Sequence, residues 1–118
     1  MLIFNPILRT QAGIRRHLLR AMPIGTSFDE VIYHIEEYNS DWVIRSRART
    51  MGVVLHPSLG IPMRSMPADR FPTVGEQSIQ VHLGAYRIIT RIYVTAWFAF
   101  DENGSLIEVF VRREFDLI

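Results

Sequence analysis

The sequence contains no cysteine, no lysine and no apolar run long enough to cross a membrane. The first absence excludes disulfides, thiolate metal sites and thiol nucleophiles within this chain. The second means that all 13 basic residues are arginine; a GC-rich genome explains this, and selection for bidentate anion contacts is the functional alternative. The third excludes a helical span, which needs roughly 20 apolar residues. The opening MLIFNPIL also lacks the basic start and cleavage site of a signal peptide.

An excess of charge of either sign is also missing, because the formal net charge is only +1. Such a balance gives little attraction to nucleic acid or to anionic lipid, so we predict no nucleic-acid partner. The chain has 118 residues, of which 48% are hydrophobic, and therefore fits one domain with its own core. We predict a single domain over 1–118, with an N-terminal tail at 1–9 and a long proline-rich loop at 56–77.

Two helices are predicted in the first third of the chain. Thr10 is a suitable N-cap for a helix that runs to about Met22, before a proline and a glycine break it. Ser27 and Glu30 have the spacing of a capping box, so a second helix begins there. Its apolar face continues to Tyr38.

The last third of the chain alternates apolar and polar residues, which is typical of β-strands. The segments 79–84, 91–100 and 106–113 are predicted strands, and 101–104 has the composition of a hairpin turn. Residues 43–55 form either a first strand pair or one bent strand. The predicted fold class is α+β, with two N-terminal helices packed on one face of a three- to four-stranded antiparallel sheet. We expect the opposite face to be partly open.

Between these regions lies the loop 56–77, in which a proline recurs every five residues. Proline removes ladder donors and resists helix, so this loop is not predicted to be regular. It carries Met63, Met66 and Phe71, and is too apolar for a freely solvated linker. We expect it to pack against the sheet.

No catalytic or metal-binding motif is present among the titratable residues. The four histidines fit no metal signature. His34 has Glu37 three residues further along its helix, and His82 on a strand is a candidate base, but structural roles explain both. Capping, a solvated helix face and a turn explain the pairs of acidic residues. We therefore predict no enzyme activity, no metal and no cofactor.

Three arginines alternate in the stretch WVIRSRART, at Arg45, Arg47 and Arg49. On an extended strand this spacing places them on one face. We interpret them as the outward face of a first or edge strand, where charge prevents self-pairing. If they contact anything, the carboxylates of a partner protein are favoured over phosphates.

Two stretches resemble the small bacterial envelope proteins of the SmpA/OmlA (BamE-like) type, namely MPIGTSFDEV at 22–31 and FAFDENGSLIEV at 98–109. The resemblance implies a β-lactamase-inhibitor-like fold, with two helices before an antiparallel sheet, and a non-enzymatic envelope protein that binds another protein. The longer proline-rich segment departs from the family pattern. So does the absence of a lipid-carrying cysteine.

The sequence thus favours a protein-interaction domain of a bacterial envelope or secreted protein. The alternatives are an inhibitor or immunity protein that blocks a cognate enzyme, and a small ligand-binding α+β domain. Predicted localisation is the cell envelope, the periplasm or outside the cell, with the cytoplasm as the alternative, and a homodimer is left open. Because aromatic residues and arginine anchor many interfaces, the predicted partner-binding residues are Arg91, Tyr93, Trp97, Met63, Met66 and Phe71.

Overall fold

A computed structural model of the chain describes residues 10–38, 41–56, 59–63, 71–87 and 91–115. These ranges contain two helices and six strands. They are α1 (Gln11–Ala21), α2 (Phe28–Tyr38), β1 (Val43–Ala48), β2 (Val53–Val54), β3 (Thr73–Val74), β4 (Gln77–Arg87), β5 (Arg91–Phe100) and β6 (Leu106–Phe115). Neither helix is long and apolar enough to cross a membrane, as far as the described residues extend.

Both helices begin where the sequence predicts. The Thr10 hydroxyl accepts a hydrogen bond of 2.9 Å from the Gly13 N–H, which satisfies one free donor in the first turn of α1. Ser27 accepts from the Glu30 N–H at 3.1 Å and starts α2 in the same way. Two acidic residues in the first turn of α2 also suit the positive end of its dipole.

The main sheet has four antiparallel strands in the order β1-β4-β5-β6, so β1 and β6 are its two edges. The predicted α+β class and the antiparallel sheet are confirmed. Strands β5 and β6 form the predicted hairpin. In its turn, the Asp101 carboxylate accepts from the N–H groups of Asn103 and Ser105, both at 2.9 Å. Gly104 takes the positive φ of 79° that the turn needs.

The helices cover one face of the main sheet and enclose the core with it. Ile14 and Leu18 of α1 are fully buried there, as are Phe98 and Phe100 of β5. The link between the helices is joined to the hairpin. The Gly25 N–H donates to the Leu106 carbonyl, and the Leu106 N–H donates to the Thr26 carbonyl, both at 2.8 Å. The link between the two helices and the last strand are therefore joined through their backbones at one end of the core.

The opposite face of the main sheet is not open where the sequence analysis expected an exposed aromatic residue. Strands β2 and β3 pair into a second, two-stranded sheet that lies over this face. Beneath it, Trp97 packs with Val53 and Ala99 and is only 4% exposed. The prediction that Trp97 contributes to an open surface was wrong, because residues distant in sequence cover it.

The proline-rich loop supplies part of that cover, and its described parts are more regular than predicted. It contains β3, and its last predicted residue, Gln77, is the first residue of β4. The His56 N–H donates to the Ile61 carbonyl at 2.8 Å, and the Met63 N–H donates to the Val54 carbonyl at 2.8 Å. These bonds hold the beginning of the loop against the small sheet.

Candidate functional site

Within the part of the chain that the structure describes, no strand pairs with the outer edge of β6, and this edge carries backbone groups that point away from the sheet. Arg15 Nε donates to the Val109 carbonyl at 3.0 Å, and the Val109 N–H donates to the Glu108 carboxylate at 2.9 Å. Four residues further on, the Arg113 N–H donates to the side-chain oxygen of Gln11 at 2.8 Å. Because the direction of backbone groups alternates along a strand, Val111 must also direct its N–H and C=O outwards.

Side chains close the Val109 position almost completely. Arg15 and Glu108 form an ion pair of 2.5 Å, with 44% and 36% of the two side chains exposed. Burial raises the pKa of the Glu108 carboxyl, but hydrogen bonds from Arg15 and the Val109 N–H, together with the arginine charge, lower the pKa overall. The carboxylate therefore stays charged and covers this part of the edge.

An open cavity of about 330 Å³ extends along this edge, and we call it the β6 groove. Its floor is residues 108–112 of β6. One wall is the N-terminal half of α1, with Gln11, Ala12 and Arg15, and the other wall is residues 60–62. Arg112 Nη1 donates to the Pro62 carbonyl at 3.4 Å, a long bond that ties the second wall to the strand.

Val111 lies on the groove floor, between the two positions that α1 covers. Among the residues that the structure describes, none bonds to its outward N–H or C=O through a hydrogen bond of the loops, caps or side chains. An exposed backbone donor and acceptor on a sheet edge is complementary to the backbone of another extended segment. The β6 groove is therefore shaped and equipped to receive a strand.

The outer surface of α1 beside the groove is basic. Arg15, Arg16 and Arg20 are exposed and surround a second cavity of about 310 Å³, with Ala12 and Leu19 between them. Arg16 and Arg20 take part in none of the three ion pairs found between described residues. The positive charge of α1 is thus only partly neutralised within this part of the chain.

No protein-family model, curated protein or solved structure matches the chain. The resemblance to the SmpA/OmlA (BamE-like) family therefore stays a prediction from the two quoted stretches. Those stretches are neighbours in the fold, because residues 25 and 26 bond to Leu106 through the backbone.

None of the four predicted partner-binding residues whose side chains are described lines the β6 groove. Trp97 is buried, and Tyr93 is half-buried with its ring centre 5.7 Å from that of His82. Met63 and Phe71 are also half-buried. Thus none of the four whose side chains are described is exposed.

Two further members of that predicted set, the Arg91 side chain and Met66, lie outside the described residues. The loop that carries Met66 still contributes to the candidate site, because its residues 60–62 form one wall of the groove. Participation of this loop in binding stays a prediction, but the contact surface now considered is residues 60–62.

The arginine stripe has a different environment from the one predicted. Its strand, β1, is an edge strand as expected. However, Arg47 and Arg49 form ion pairs within the chain instead of facing solvent unpaired. Arg47 pairs with Glu36 at 2.5 Å and Arg49 pairs with Asp29 at 2.8 Å, and both acids are on α2. A register shift between Ile44 and Ser46 interrupts the regular alternation at Arg45.

Arg49 makes the most contacts of this stripe. Its guanidinium lies 4.0 Å from the centre of the Phe28 ring, and its Nη1 donates to the Gln77 side-chain oxygen at 3.2 Å. Together with the Asp29 ion pair, these contacts join α2 to β1 and β4. The stripe therefore fastens a helix to the sheet on the side opposite the β6 groove.

The two candidate histidines both contact aromatic rings. His34 lies 5.1 Å from the Tyr38 ring centre, and burial lowers its pKa. His82 contacts Tyr93. No group of three or more possible metal ligands occurs in the described ranges, so neither histidine is assigned to a metal site.

Sequence reasoning missed the residues that build the β6 groove, above all Arg15, Val111 and Ile61. A weak signal was present, because the last strand carries charged residues at 108 and 112–114, as edge strands often do. The order of strands in the sheet decides which edge is free, and no local pattern encodes that order.

Proposed function

We propose that this chain is a non-enzymatic protein-interaction domain that binds its partner along the β6 groove. The observation that supports this is the position of Val111, whose outward N–H and C=O lie on the floor of an open cavity. Such groups at a sheet edge favour pairing with another polypeptide. A location in the bacterial envelope or outside the cell enters the proposal only through the resemblance described above.

The proposal is also consistent with the side chains that cover both ends of this edge. Arg15 and Glu108 cover one end of it, and Gln11 covers the other. Side chains that cap a strand edge limit uncontrolled self-pairing. A partner must therefore offer enough contacts to replace them, which favours a specific ligand over random association.

The proposal is tested by selecting binders from a random peptide library displayed on phage, with the full chain as bait. Each selected peptide is then measured against Val111→Pro. Proline at an outward-facing edge position removes the outer donor but no bond to β5. We expect selected peptides to bind this variant at least about tenfold more weakly, as the loss of one hydrogen bond and of strand fit implies.

A second variant and a control guard against misfolding. Ile61→Arg obstructs the groove from the opposite wall while keeping the backbone bond from His56, so it should also weaken binding. Tyr38→Ala changes a side chain that is 68% exposed on α2, and should leave binding unchanged. If every selected peptide binds both groove variants as tightly as the wild type, or if no peptide is selected, the proposed function is wrong.

A further inference from the structure

We infer that Arg15 and Glu108 form an autoinhibitory latch, which takes the place of a partner strand at Val109 and opens when a ligand pairs with β6 along its length. This inference rests on the proposed function and specifies how the β6 groove is regulated. It requires that the latch reproduce the contacts of a strand, exclude a strand while it is closed, and open at a small cost.

The hydrogen bonds at Val109 reproduce those between two strands. Arg15 Nε donates to the Val109 carbonyl at 3.0 Å, and Glu108 Oε1 accepts from the Val109 N–H at 2.9 Å. In an antiparallel sheet, one residue of the adjacent strand makes both of these bonds. The same Glu108 oxygen also accepts from Arg15 Nη2. The two side chains therefore close a ring of bonds around both outward groups of Val109.

A ligand strand cannot pair with Val109 while the latch is closed. The Val109 N–H has a single hydrogen, and the Glu108 carboxylate already accepts it. Val111, two residues further on, has no such cover from the loops, caps or side chains that the structure describes. An extended ligand therefore pairs with Val111 alone in the closed state, and it gains the next position of the ladder only when the latch opens.

The surroundings of the latch allow it to open at a small cost. The Arg15 and Glu108 side chains are 44% and 36% exposed, so water can hydrate both charges when they separate. Exposed ion pairs of this kind contribute little to stability. Arg15 also has space to move, because it lines both the β6 groove and the cavity of about 310 Å³ on the outer surface of α1. The contact is therefore suited to a reversible role.

The two side chains should act as one unit, because each loses its bond to the other when either is removed. Arg15→Ala and Glu108→Ala should therefore each open the latch, and the double variant should gain little more. A protein whose binding-competent state is only partly populated binds more weakly by that fraction. Loss of the latch should thus raise affinity, whereas loss of an ordinary ligand contact lowers it.

The test uses the full chain and the uncharged peptide TVTVTVT, acetylated and amidated at its ends, with binding followed by the amide NMR shift of Val111. We expect Arg15→Ala and Glu108→Ala to bind it about three- to tenfold more tightly than the wild type. The double variant should gain no more than about twofold over the tighter single variant. The matched control is Arg16→Ala, which removes the same charge from the same helix and should bind like the wild type.

Amide hydrogen exchange tests the latch without any ligand. Glu108→Ala should speed exchange of the Val109 amide at least about tenfold, because its acceptor is lost, and Arg16→Ala should leave it unchanged. Equal exchange of Val109 in the wild type and Glu108→Ala would overturn the inference. So would an affinity of the two latch variants for the peptide that equals or falls below that of the wild type.

The same peptide distinguishes this inference from the function on which it rests. If Val111→Pro weakens binding but the latch variants do not strengthen it, the proposed function stands and the inference falls. If Val111→Pro does not reduce the gain of the latch variants, the peptide binds away from β6 and the inference is wrong. If the peptide binds no variant, the uncovered edge does not accept a strand and the inference is again wrong, while phage selection still decides the proposed function.

Discussion

Replacing Trp97 by alanine distinguishes a core residue from an interface anchor. The side chain is 4% exposed and packs between β5 and the small sheet, against Val53, Ala99 and partly buried neighbours. Removing a buried tryptophan leaves a cavity and typically costs about 3–5 kcal/mol. That is a large part of the roughly 5–15 kcal/mol by which a domain of this size is stable. Trp97→Ala should therefore be folded but greatly destabilised.

The measurement is urea unfolding followed by far-UV circular dichroism. With a slope of about 1.5 kcal/mol per molar urea, the expected loss lowers the midpoint by about 2–3 M. Tyr33→Ala is the control, because that ring is 58% exposed and its removal should cost no more than about 0.5 kcal/mol. A midpoint for Trp97→Ala equal to that of the control would refute the burial argument and restore Trp97 as a surface residue.

Three further predictions concern Arg49, Gly75 and Glu108. Arg49→Ala should lower the free energy of unfolding by about 1 kcal/mol, because it loses an exposed ion pair and the contact of its guanidinium with the Phe28 ring. Arg47→Ala loses only one exposed ion pair and should lower it by roughly 0–0.5 kcal/mol. Denaturant titrations that give equal losses for the two variants would contradict this difference. Gly75→Ala should lower the free energy of unfolding more than Gly60→Ala in the same assay. Both glycines have a positive φ, but an added Cβ would lie 2.5 Å from the Phe100 backbone oxygen of β5 at Gly75, whereas nothing lies within 4 Å at Gly60. Because the pKa of the Glu108 carboxyl is lowered in the folded state, its charge stabilises the fold at pH values above the ordinary carboxyl pKa of 4.5, and this stabilisation is lost as the pH falls through the lower folded pKa. Glu108→Gln should therefore reduce the dependence of the free energy of unfolding on pH between these two pKa values. An unchanged pH dependence in the variant would exclude this linkage.

Local features of the fold could be predicted from the sequence because the residues that determine them are close together. Thr10 and Ser27 accept hydrogen bonds from N–H groups three residues away, so short sequence patterns are enough to predict where the helices begin. The turn at Asp101 closes on itself within four residues. For the same reason, the β5–β6 hairpin and its alternation were predicted correctly.

The cover over Trp97 could not be predicted from such patterns. It comes from β2 and β3, each of two residues, which are separated by 18 residues of chain. Strands so short have no periodicity that a sequence window detects. Gly52 lies close to this contact, where an added Cβ would be 2.2 Å from the Gly75 carbonyl oxygen. The sequence allowed a strand pair or one bent strand over 43–55, but it did not indicate that two backbones meet at Gly52.

The candidate site was beyond sequence reasoning for a related reason. Alternation places Arg47 and Arg49 on one side of their strand, but does not say whether that side faces solvent or a helix. In the structure α2 lies beside it and supplies the acids. In the same way, the environment of the β6 edge depends on Gln11 and Arg15, which bond to its backbone from about a hundred positions earlier in the chain.

The bond between Arg15 and the Val109 carbonyl, which spans 94 residues, has a consequence for folding during synthesis. Ribosomes add about 5–20 residues per second, so the residues of α1 are synthesised about 5–20 s before the Val109 that Arg15 bonds to. An isolated helix of 11 residues is marginal in water, so over that interval Ile14 and Leu18 lie in a segment that is neither stably helical nor fully buried. The nascent chain therefore exposes these apolar side chains until β6 is made, and chaperone binding to this segment would shorten the period of exposure.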